Sequence, residues 1–560
     1  MTRKTWVFVF LVAGLSLVAA AGPVDLAKGE APRGEVRSAT GHPATLGPDP
    51  TVVAAQMAVD HKRLVAERAS VSAVPGITVE LSQQDRVEIG LAPCPECGPA
   101  ELQLRKRRVG VVKPVSDIDF RGLSPQQIAD GASFAGGQLR ATGEGFVWTL
   151  VSEAPGAVAQ RIHFDRFDVP AGAEMWVYGD SGEAFGPYTG FGHHGDGQFW
   201  SPEVYSQRVY IQLHYSGSTS PGALNGIRFR VPEVAVVARS TVVEDPAGAD
   251  PSTQGVCGNA SCINNNASGA SQALRDAAGH MRWIAGAFLY ICSGGLIANN
   301  GGSEIPYFLT ANHCISRDRD ARDLLVYFGY DAGCPETGVS YDGFTDGASL
   351  VKTGSSGDYT LLELNQNPPN TSGYLGWTTT NVANSNGAGL HRVHHPLGAP
   401  QSYSQHNVDT SAGTCQGIPR GAWIYSRDTN GATDGGSSGS VVANGSDQIV
   451  GQLTGACGTN TGNVCDNDNN ATIDGAFAFY FGNLEQYLDP AGCSPSPEVC
   501  DDGQDNDCDG NADCDDSDCS GDPSCSGGGC TLGQPGDSCT SDGDCCSNKC
   551  KGPPSNRTCR

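Results

Sequence analysis

The sequence has little positive charge and almost no long apolar runs. Lysine and arginine total 35 against 61 aspartates and glutamates, which gives a formal net charge of −26. Binding to a phosphate backbone depends on clustered basic residues, so this deficit argues against DNA or RNA as a partner. After residue 21, no stretch approaches the roughly 18 consecutive apolar residues of a membrane-spanning helix, and we expect no membrane span in the mature protein.

The one strongly apolar stretch lies at the N-terminus, behind a charged head. The sequence Met-Thr-Arg-Lys at 1–4 precedes apolar residues 6–19 and small residues 20–22. This order of segments is typical of a secretory signal peptide, which we place at 1–21. We therefore expect a secreted, extracellular protein, in whose oxidising surroundings the 22 cysteines would form disulfides.

The first half of the chain carries few cysteines and two kinds of pattern. Residues 22–104 are rich in Ala and Val and predict a pro-segment with one helix near 51–70. Apolar and polar residues alternate in short stretches over 105–245, which predicts an antiparallel β-sandwich. The isolated pair Cys94 and Cys97 favours a local disulfide or loop over a metal half-site.

Three motifs between residues 250 and 490 place a His, an Asp and a Ser at the ends of strands or turns. His313 follows an apolar strand, Asp358 precedes another, and Ser438 lies in a glycine-rich turn. A serine nucleophile needs an adjacent base, and that base needs a group that orients it. We predict Ser438 as the nucleophile, His313 as the general base and Asp358 as the orienting acid.

The glycine-rich turn also suits an oxyanion hole, which needs backbone N–H groups close to the developing negative charge. We predict that Gly436 and Ser438 supply these two donors. Each motif alone also fits an ordinary turn or a structural histidine. Their occurrence together, in the order His, Asp, Ser, makes a catalytic site the stronger interpretation.

These motifs resemble the secreted bacterial lysyl endopeptidases, a group of trypsin-like serine peptidases. The resemblance rests on Cys-Ser-Gly-Gly-Leu-Ile at 292–297, Tyr-Phe-Leu-Thr-Ala-Asn-His-Cys at 307–314, Asp-Tyr-Thr-Leu-Leu-Glu-Leu-Asn at 358–365, His-His-Pro at 394–396, Gly-Ser-Ser-Gly-Ser at 436–440 and Leu-Asp-Pro at 488–490. It implies a mainly β fold, with a chymotrypsin-like double β-barrel at 250–490 behind a long pro-region.

The resemblance also implies two disulfides, Cys292 with Cys314 and Cys262 with Cys334. The pairing of four further cysteines stays open: Cys257, Cys415, Cys457 and Cys465.

The sequence departs from its relatives at two places. Many animal trypsin-like enzymes have an Asp directly before the nucleophile, whereas this chain has Ser437, so latency is expected from the pro-region, which either covers the cleft or assists folding. Lysine-specific relatives carry a pocket acid at the position of Thr472. Asp474 lies two residues on, which in a strand is the same face, so we consider both residues for a specificity pocket.

Residues 493–529 contain eleven acids and no Lys or Arg. Oxygen ligands alternate there as in a calcium loop, with Gly510 after the third. The predicted calcium ligands are Asp505, Asp507, Asp509, Asn511, Asp513 and Asp516. An acidic linker without metal is the alternative.

Residues 530–560 have a cysteine spacing that resembles an inhibitor-knot miniprotein. The resemblance implies the pairs Cys530–Cys546, Cys539–Cys550 and Cys545–Cys559. A domain this small needs such cross-links because its core is small. A module that binds a surface ligand and an inert cap both fit.

Together these features predict a secreted serine endopeptidase, made as a precursor, that hydrolyses protein or peptide substrates without a catalytic cofactor. Cleavage after Lys or Arg is one interpretation, and a non-basic preference is another. A catalytically silent adhesion protein is the alternative from a different class. For the two histidine pairs, His193-His194 and His394-His395, structural roles are favoured over metal binding.

Overall fold

The computed structural model describes residues 36–44, 47–68, 76–89, 102–104, 106–238, 270–300, 305–332, 339–490, 499–500, 519, 550–551 and 558–559. Several sequence predictions lie outside these residues. They are the signal peptide at 1–21, Cys94 and Cys97, Cys257, the bridge between Cys262 and Cys334, all six predicted calcium ligands, and Cys530, Cys539, Cys545 and Cys546 of the knot-like tail.

Helices are short and mark the edges of the β-structure. They span Pro50–Glu67, Gln83–Glu88, Pro125–Ala129, Pro221–Leu224, Gln272–Ala277, Asp318–Ala321, Phe477–Tyr480 and Glu485–Leu488, with 3₁₀ turns at Pro396–Gly398 and Phe481–Asn483. The longest begins after Asp49, whose carboxylate accepts a hydrogen bond from the Thr51 N–H at 2.8 Å. Within the described ranges, no helix has the length and apolarity to cross a membrane.

The sandwich predicted for the pro-region is present as two facing antiparallel sheets. One contains Ser133–Phe134, Gly137–Ala141, Gly145–Glu153, Ala173–Tyr178, Ala184–Tyr188 and Arg208–Ser216, with Ile77–Thr78 added in parallel. The other contains Arg107–Phe120, Ala159–Asp168, Phe199–Trp200 and Arg228–Val237. Buried aromatic rings, among them Phe120, Trp148 and Phe229, fill the space between the sheets.

The second of these sheets continues into the first of two barrels within residues 250–490. Arg107–Phe120 pairs on its far side with Phe288–Leu296. The first barrel contains Ala278–Ala285, Phe288–Leu296, Tyr307–Ala311, Leu325–Phe328, Gly343–Asp346, Ala348–Gly354 and Tyr359–Leu364. Residues from this barrel, including Trp283, Phe308 and Leu361, form much of the largest apolar core. The sandwich and the first barrel therefore share one continuous sheet.

The second barrel is a closed ring of six strands. In ring order these are Gly389–His394, Ser402–Val408, Trp423–Asn430, Asn470–Ala476, Ile449–Gly458 and Val441–Ala443. Polar side chains are buried within this ring, including Arg392, His406 and Asp474. The interior of the second barrel is therefore partly a polar network.

Short strands complete the fold. Ser38–Ala39 pairs with Trp377–Thr378, His42–Pro43 with Gly373–Tyr374, Leu102–Leu104 with Ile449–Gly458, Asp331–Ala332 with Val339–Ser340, and Cys550–Lys551 with Thr558–Cys559. The mainly β double barrel that the sequence predicted is confirmed.

Candidate active site

The three predicted catalytic side chains lie in one hydrogen-bonded series between the barrels. His313 Nδ1 is 2.7 Å from Asp358 Oδ2, and His313 Nε2 is 2.7 Å from Ser438 Oγ. The tautomer with its proton on Nδ1 satisfies both contacts, because Nε2 then accepts from the serine hydroxyl. This arrangement can remove a proton from Ser438 while Asp358 keeps the imidazole in position.

Asp358 is fixed by its backbone as well as by its carboxylate. Its φ of +52° lies in the left-handed region, an uncommon conformation for a residue with a side chain. Its carbonyl accepts from the Asn312 N–H and from Gln452 Nε2, each at 2.9 Å, and its Oδ1 accepts from the His313 N–H at 2.9 Å. Such strain persists only where surrounding contacts over-determine it.

The turn that carries Ser438 presents two unused donors. Among the described residues, neither the Gly436 N–H nor the Ser438 N–H has a hydrogen-bond partner. Gly436 has a φ of +105°, and a Cβ there would lie 2.7 Å from the His395 carbonyl oxygen. Only glycine fits this close approach, and it leaves the donors near the Ser438 hydroxyl.

Contacts behind the turn hold it in place. Ser293 donates its N–H to the Ser438 carbonyl at 2.7 Å and its hydroxyl to the Gly436 carbonyl at 2.9 Å. Ser437 Oγ lies 2.8 Å from His394 Nδ1 and accepts from the Asp434 N–H at 3.1 Å. Burial lowers the pKa of His394 well below its usual value, so the ring is neutral at pH 7. A neutral His–Ser contact thus stands at the position where many animal trypsin-like enzymes have an Asp.

Two disulfides each link a strand to a loop. Cys292 is bonded to Cys314, next to His313, and Cys415 is bonded to Cys457 in the second barrel. The sequence left the partner of Cys415 open, and Cys465 is also disulfide-bonded. A further bridge joins Cys500 and Cys519 in the acidic segment.

The two residues considered for a specificity pocket are engaged with other side chains. Asp474 forms an ion pair with Arg392 at 2.8 Å, and both side chains are completely buried. Thr472 donates to Asp428 Oδ1 at 2.9 Å, and the same oxygen lies 2.6 Å from His406 Nδ1. The Asp474 charge is therefore already balanced inside the barrel, because an arginine rather than solvent faces it.

The two adjacent histidine pairs, His193-His194 and His394-His395, have hydrogen-bond partners within the protein. His193, His194 and Asp323 bring their ligand atoms within 4.8 Å of one another, at the contact between sandwich and first barrel. His194 Nε2 is 3.1 Å from Asp323 Oδ1, and that oxygen also accepts from the Trp200 N–H at 3.0 Å. His395 Nδ1 lies 3.0 Å from the Ala399 carbonyl. Both pairs therefore have protein hydrogen-bond partners, and the preference for structural roles over metal binding stays a prediction.

Sequence reasoning missed the residues that position the site from a distance. Gln452 donates to the carbonyls of Gly357 and Asp358 and accepts from the Tyr480 hydroxyl. Gln452 belongs to a Gly-Gln-Leu segment that the sequence already displayed. No comparable pattern marks Arg392 or Tyr480, because their partners lie 82 and 28 residues away.

Comparisons with known proteins agree with the peptidase region. Residues 253–471 match the model of the lysyl endopeptidase C-terminal domain. Over 285 residues the chain is 30% identical to the lysyl endopeptidase of Pseudomonas aeruginosa, a match that covers 47% of this chain and 58% of that protein. The chain thus spans somewhat more than half the length of this relative.

Solved protease structures match the chain at lower sequence identity and over less than half of its length. The active form of the Rv3671c protease from M. tuberculosis has a TM-score of 0.28 and 17% identity, covering 40% of this chain and 84% of that one. The MamO protease domain from Magnetospirillum magneticum has a TM-score of 0.26 and 15% identity, covering 38% and 97%.

Proposed function

We propose, from the premise that residues 253–471 form a lysyl endopeptidase-like serine peptidase domain, that the chain is the precursor of a secreted serine endopeptidase. The observation that carries the proposal is the series Asp358, His313 and Ser438, joined by two contacts of 2.7 Å. A silent adhesion protein would have no need for an aligned nucleophile, base and orienting acid.

In the proposed reaction, Ser438 Oγ attacks the carbonyl carbon of a peptide bond as His313 Nε2 takes the hydroxyl proton. The negative charge moves to the former carbonyl oxygen, where the N–H groups of Gly436 and Ser438 stabilise it. His313 then gives its proton to the leaving amine, and the C–N bond breaks to leave an acyl-enzyme on Ser438. Water, deprotonated by His313, hydrolyses this ester.

The residue preference of the enzyme is a separate part of the proposal. Relatedness to a lysyl endopeptidase supports cleavage after Lys or Arg. The full burial of the Asp474–Arg392 pair supports the alternative, since Asp474 then offers no unpaired charge to a substrate cation. Rates on a peptide series that differs only in the residue before the cleaved bond decide between them. A basic preference predicts that Lys or Arg peptides are cut fastest.

The nucleophile is tested by Ser438→Ala in the secreted protein, measured by hydrolysis of casein and by labelling with a fluorophosphonate. Loss of both signals is expected, because no other hydroxyl contacts His313 Nε2 among the described residues. Ser440→Ala is the matched control from the same turn. Its retention of most activity is expected, and equal loss in both variants would contradict the assignment of Ser438.

The acidic segment and the tail remain predictions within this proposal. Calcium at the six ligands between Asp505 and Asp516 would stabilise an extracellular enzyme by linkage to folding. Melting of the intact protein with calcium and with a chelator tests it.

A further inference from the structure

A short strand of the pro-region lies on the edge of the second barrel beside the candidate active site. Leu102–Leu104 pairs antiparallel with Ile449–Gly458, with Leu104 opposite Gly455 and Leu102 opposite Cys457. The barrel strand reaches the nucleophile turn two residues earlier, where Leu453 exchanges hydrogen bonds with Gly439 and Ser440 at 2.8 and 2.9 Å. The added strand therefore ends near Ser438.

The chain then crosses to the first barrel. Lys106 Nζ donates to the His313 carbonyl at 2.7 Å, and Arg107 pairs antiparallel with Ile291. Ile291 adjoins Cys292, which is disulfide-bonded to the neighbour of His313. Residue 105, which lies outside the described residues, is all that separates Leu104 from Lys106. Leu104 and Lys106 thus lie on opposite sides of the catalytic series.

This path is that of an extended peptide bound by β-augmentation. In that mode a peptide adds its main chain to exposed strand edges, and its alternate side chains enter pockets. Here the chain pairs with two strand edges in turn. Residues 102–104 pair with Ile449–Gly458, and the residues from Arg107 onward pair with Phe288–Leu296. Ser438 lies between them, because Ser293 of the latter strand bonds the Ser438 carbonyl.

We propose that the two described stretches 102–104 and 106–107, here called the crossing segment, occupy the substrate groove in the direction of a substrate and hold the precursor inactive. This inference rests on the proposed function, since the groove serves substrates only if Ser438 is the nucleophile. It assigns latency to one segment and to covering of the cleft. The complete burial of Ser438 agrees with an occupied groove.

The crossing segment also indicates the substrate class. The chain reads Leu-Gln-Leu-Arg-Lys-Arg at 102–107, and its described basic residues, Lys106 and Arg107, lie beside the catalytic series. The first self-cleavage is expected between residues 104 and 107, ahead of any cut nearer to residue 250. This assignment favours the basic preference without using Asp474 as the pocket acid.

The sandwich anchors the crossing segment from its C-terminal side. Residues 107 to 111 pair with Phe288–Leu296, and the buried pair of Arg282 with Glu203 ties the same barrel to the sandwich. Both charges of that pair are fully buried, and separating the sandwich from the barrel would deprive each of its partner. The segment is thus held close to the groove and binds there at high effective concentration.

The test compares full-length precursors by the rate at which a fluorophosphonate labels Ser438. One variant carries Leu102→Pro with Gln103→Pro. Alternate N–H groups of a strand face its partner, so two adjacent prolines remove at least one facing donor. We expect this variant to be labelled at least about tenfold faster than wild type. This factor follows if the wild-type groove is open one tenth of the time or less, because the labelling rate is proportional to the open fraction.

The matched control is Ser38→Pro with Ala39→Pro, which disrupts another pro-segment strand on the second barrel. Labelling of this control at the wild-type rate is expected. If wild type is labelled as fast as the Leu102/Gln103 variant, or if both proline variants accelerate equally, the crossing segment does not block the groove.

Hydrogen exchange separates this inference from the proposed function. The same proline pairs are placed in a Ser438→Ala precursor, where catalysis plays no part. If only the Leu102/Gln103 variant loses protection at residues 455–457, the crossing segment is supported. If, in addition, no active-site labelling is seen in any protein, the proposed function fails while the crossing segment stands. Unchanged protection in both variants overturns the inference whatever the activity.

Discussion

Each of the two barrels contains a buried carboxylate next to a basic side chain, but the two pairs have different surroundings. In the first barrel, His313 and Asp358 are 10% and 8% exposed, and the imidazole reaches out to Ser438. In the second barrel, Arg392 and Asp474 are both 0% exposed and bond only inward. In the first pair, His313 Nε2 is free to exchange a proton with Ser438 while Asp358 orients the ring, whereas the second is a fixed ion pair.

The comparison shows that the location of a buried carboxylate in the fold decides whether it serves catalysis or folding. Asp358 sits in a strained turn between the barrels, so its carboxylate can be shared with a base that meets solvent and substrate. Asp474 lies in the middle of Asn470–Ala476, facing the inside of a closed ring. A change at the first pair should therefore alter activity, and a change at the second should alter folding.

The largest effect expected from this comparison is that of Asp358→Asn on catalysis. The amide would donate where the carboxylate accepted, which favours the wrong imidazole tautomer and leaves no acceptor for the Ser438 proton. We expect kcat to fall about 10⁴-fold. Melting of the same preparation should stay close to wild type, and a parallel collapse in stability would erase the distinction between the two pairs.

The next effect is on stability and comes from Arg392→Met. The substitution leaves the Asp474 carboxylate buried without its cation, which should cost about 3–5 kcal/mol in the free energy of unfolding. Urea denaturation measures it. Arg392→Met with Asp474→Leu should regain most of the loss, and Arg228→Met, at an exposed pair with Asp168, should cost less than about 1 kcal/mol. An unchanged midpoint for Arg392→Met would contradict the structural role.

The sequence predicted the parts of the site that depend on local pattern. His313, Asp358 and Ser438 each stand at a strand or turn boundary that apolar runs and glycines reveal, and the sandwich follows from period-2 alternation. The polar interior of the second barrel could not be predicted, because Arg392 meets Asp474 only through the closure of a six-stranded ring.

Residues 105–245 show the same limit at larger scale. Alternation over 105–245 indicates strands but not which neighbours their edges find, so the shared sheet of sandwich and first barrel was not foreseen. The sequence alone predicted no role for the basic run at residues 105–108. Its meaning depends on the pairing of Leu104 with Gly455 and of Arg107 with Ile291, across more than 180 residues.

A smaller effect concerns acid at the junction of the barrels. Burial lowers the pKa of His395 to about 4, against about 6.5 in the unfolded chain. The folded state therefore binds this proton less readily, and the contribution of about 3 kcal/mol is present above pH 6.5 and is lost as the pH falls to 4. In His395→Asn, unfolding free energy should decline less steeply over that range. An identical slope in both proteins would exclude His395 as a source of acid sensitivity.

The smallest effect expected is that of Ser437→Ala, and it bears on how the nucleophile turn is held. The substitution removes the hydroxyl that lies 2.8 Å from His394 Nδ1 and accepts from the Asp434 N–H. Leaving these groups unmatched should cost about 1 kcal/mol of stability. Activity should fall only severalfold, because neither His313 nor the donors at Gly436 and Ser438 depend on that hydroxyl directly. A loss as deep as that of Asp358→Asn would mean that the contacts behind the turn, rather than the series in front of it, limit the reaction.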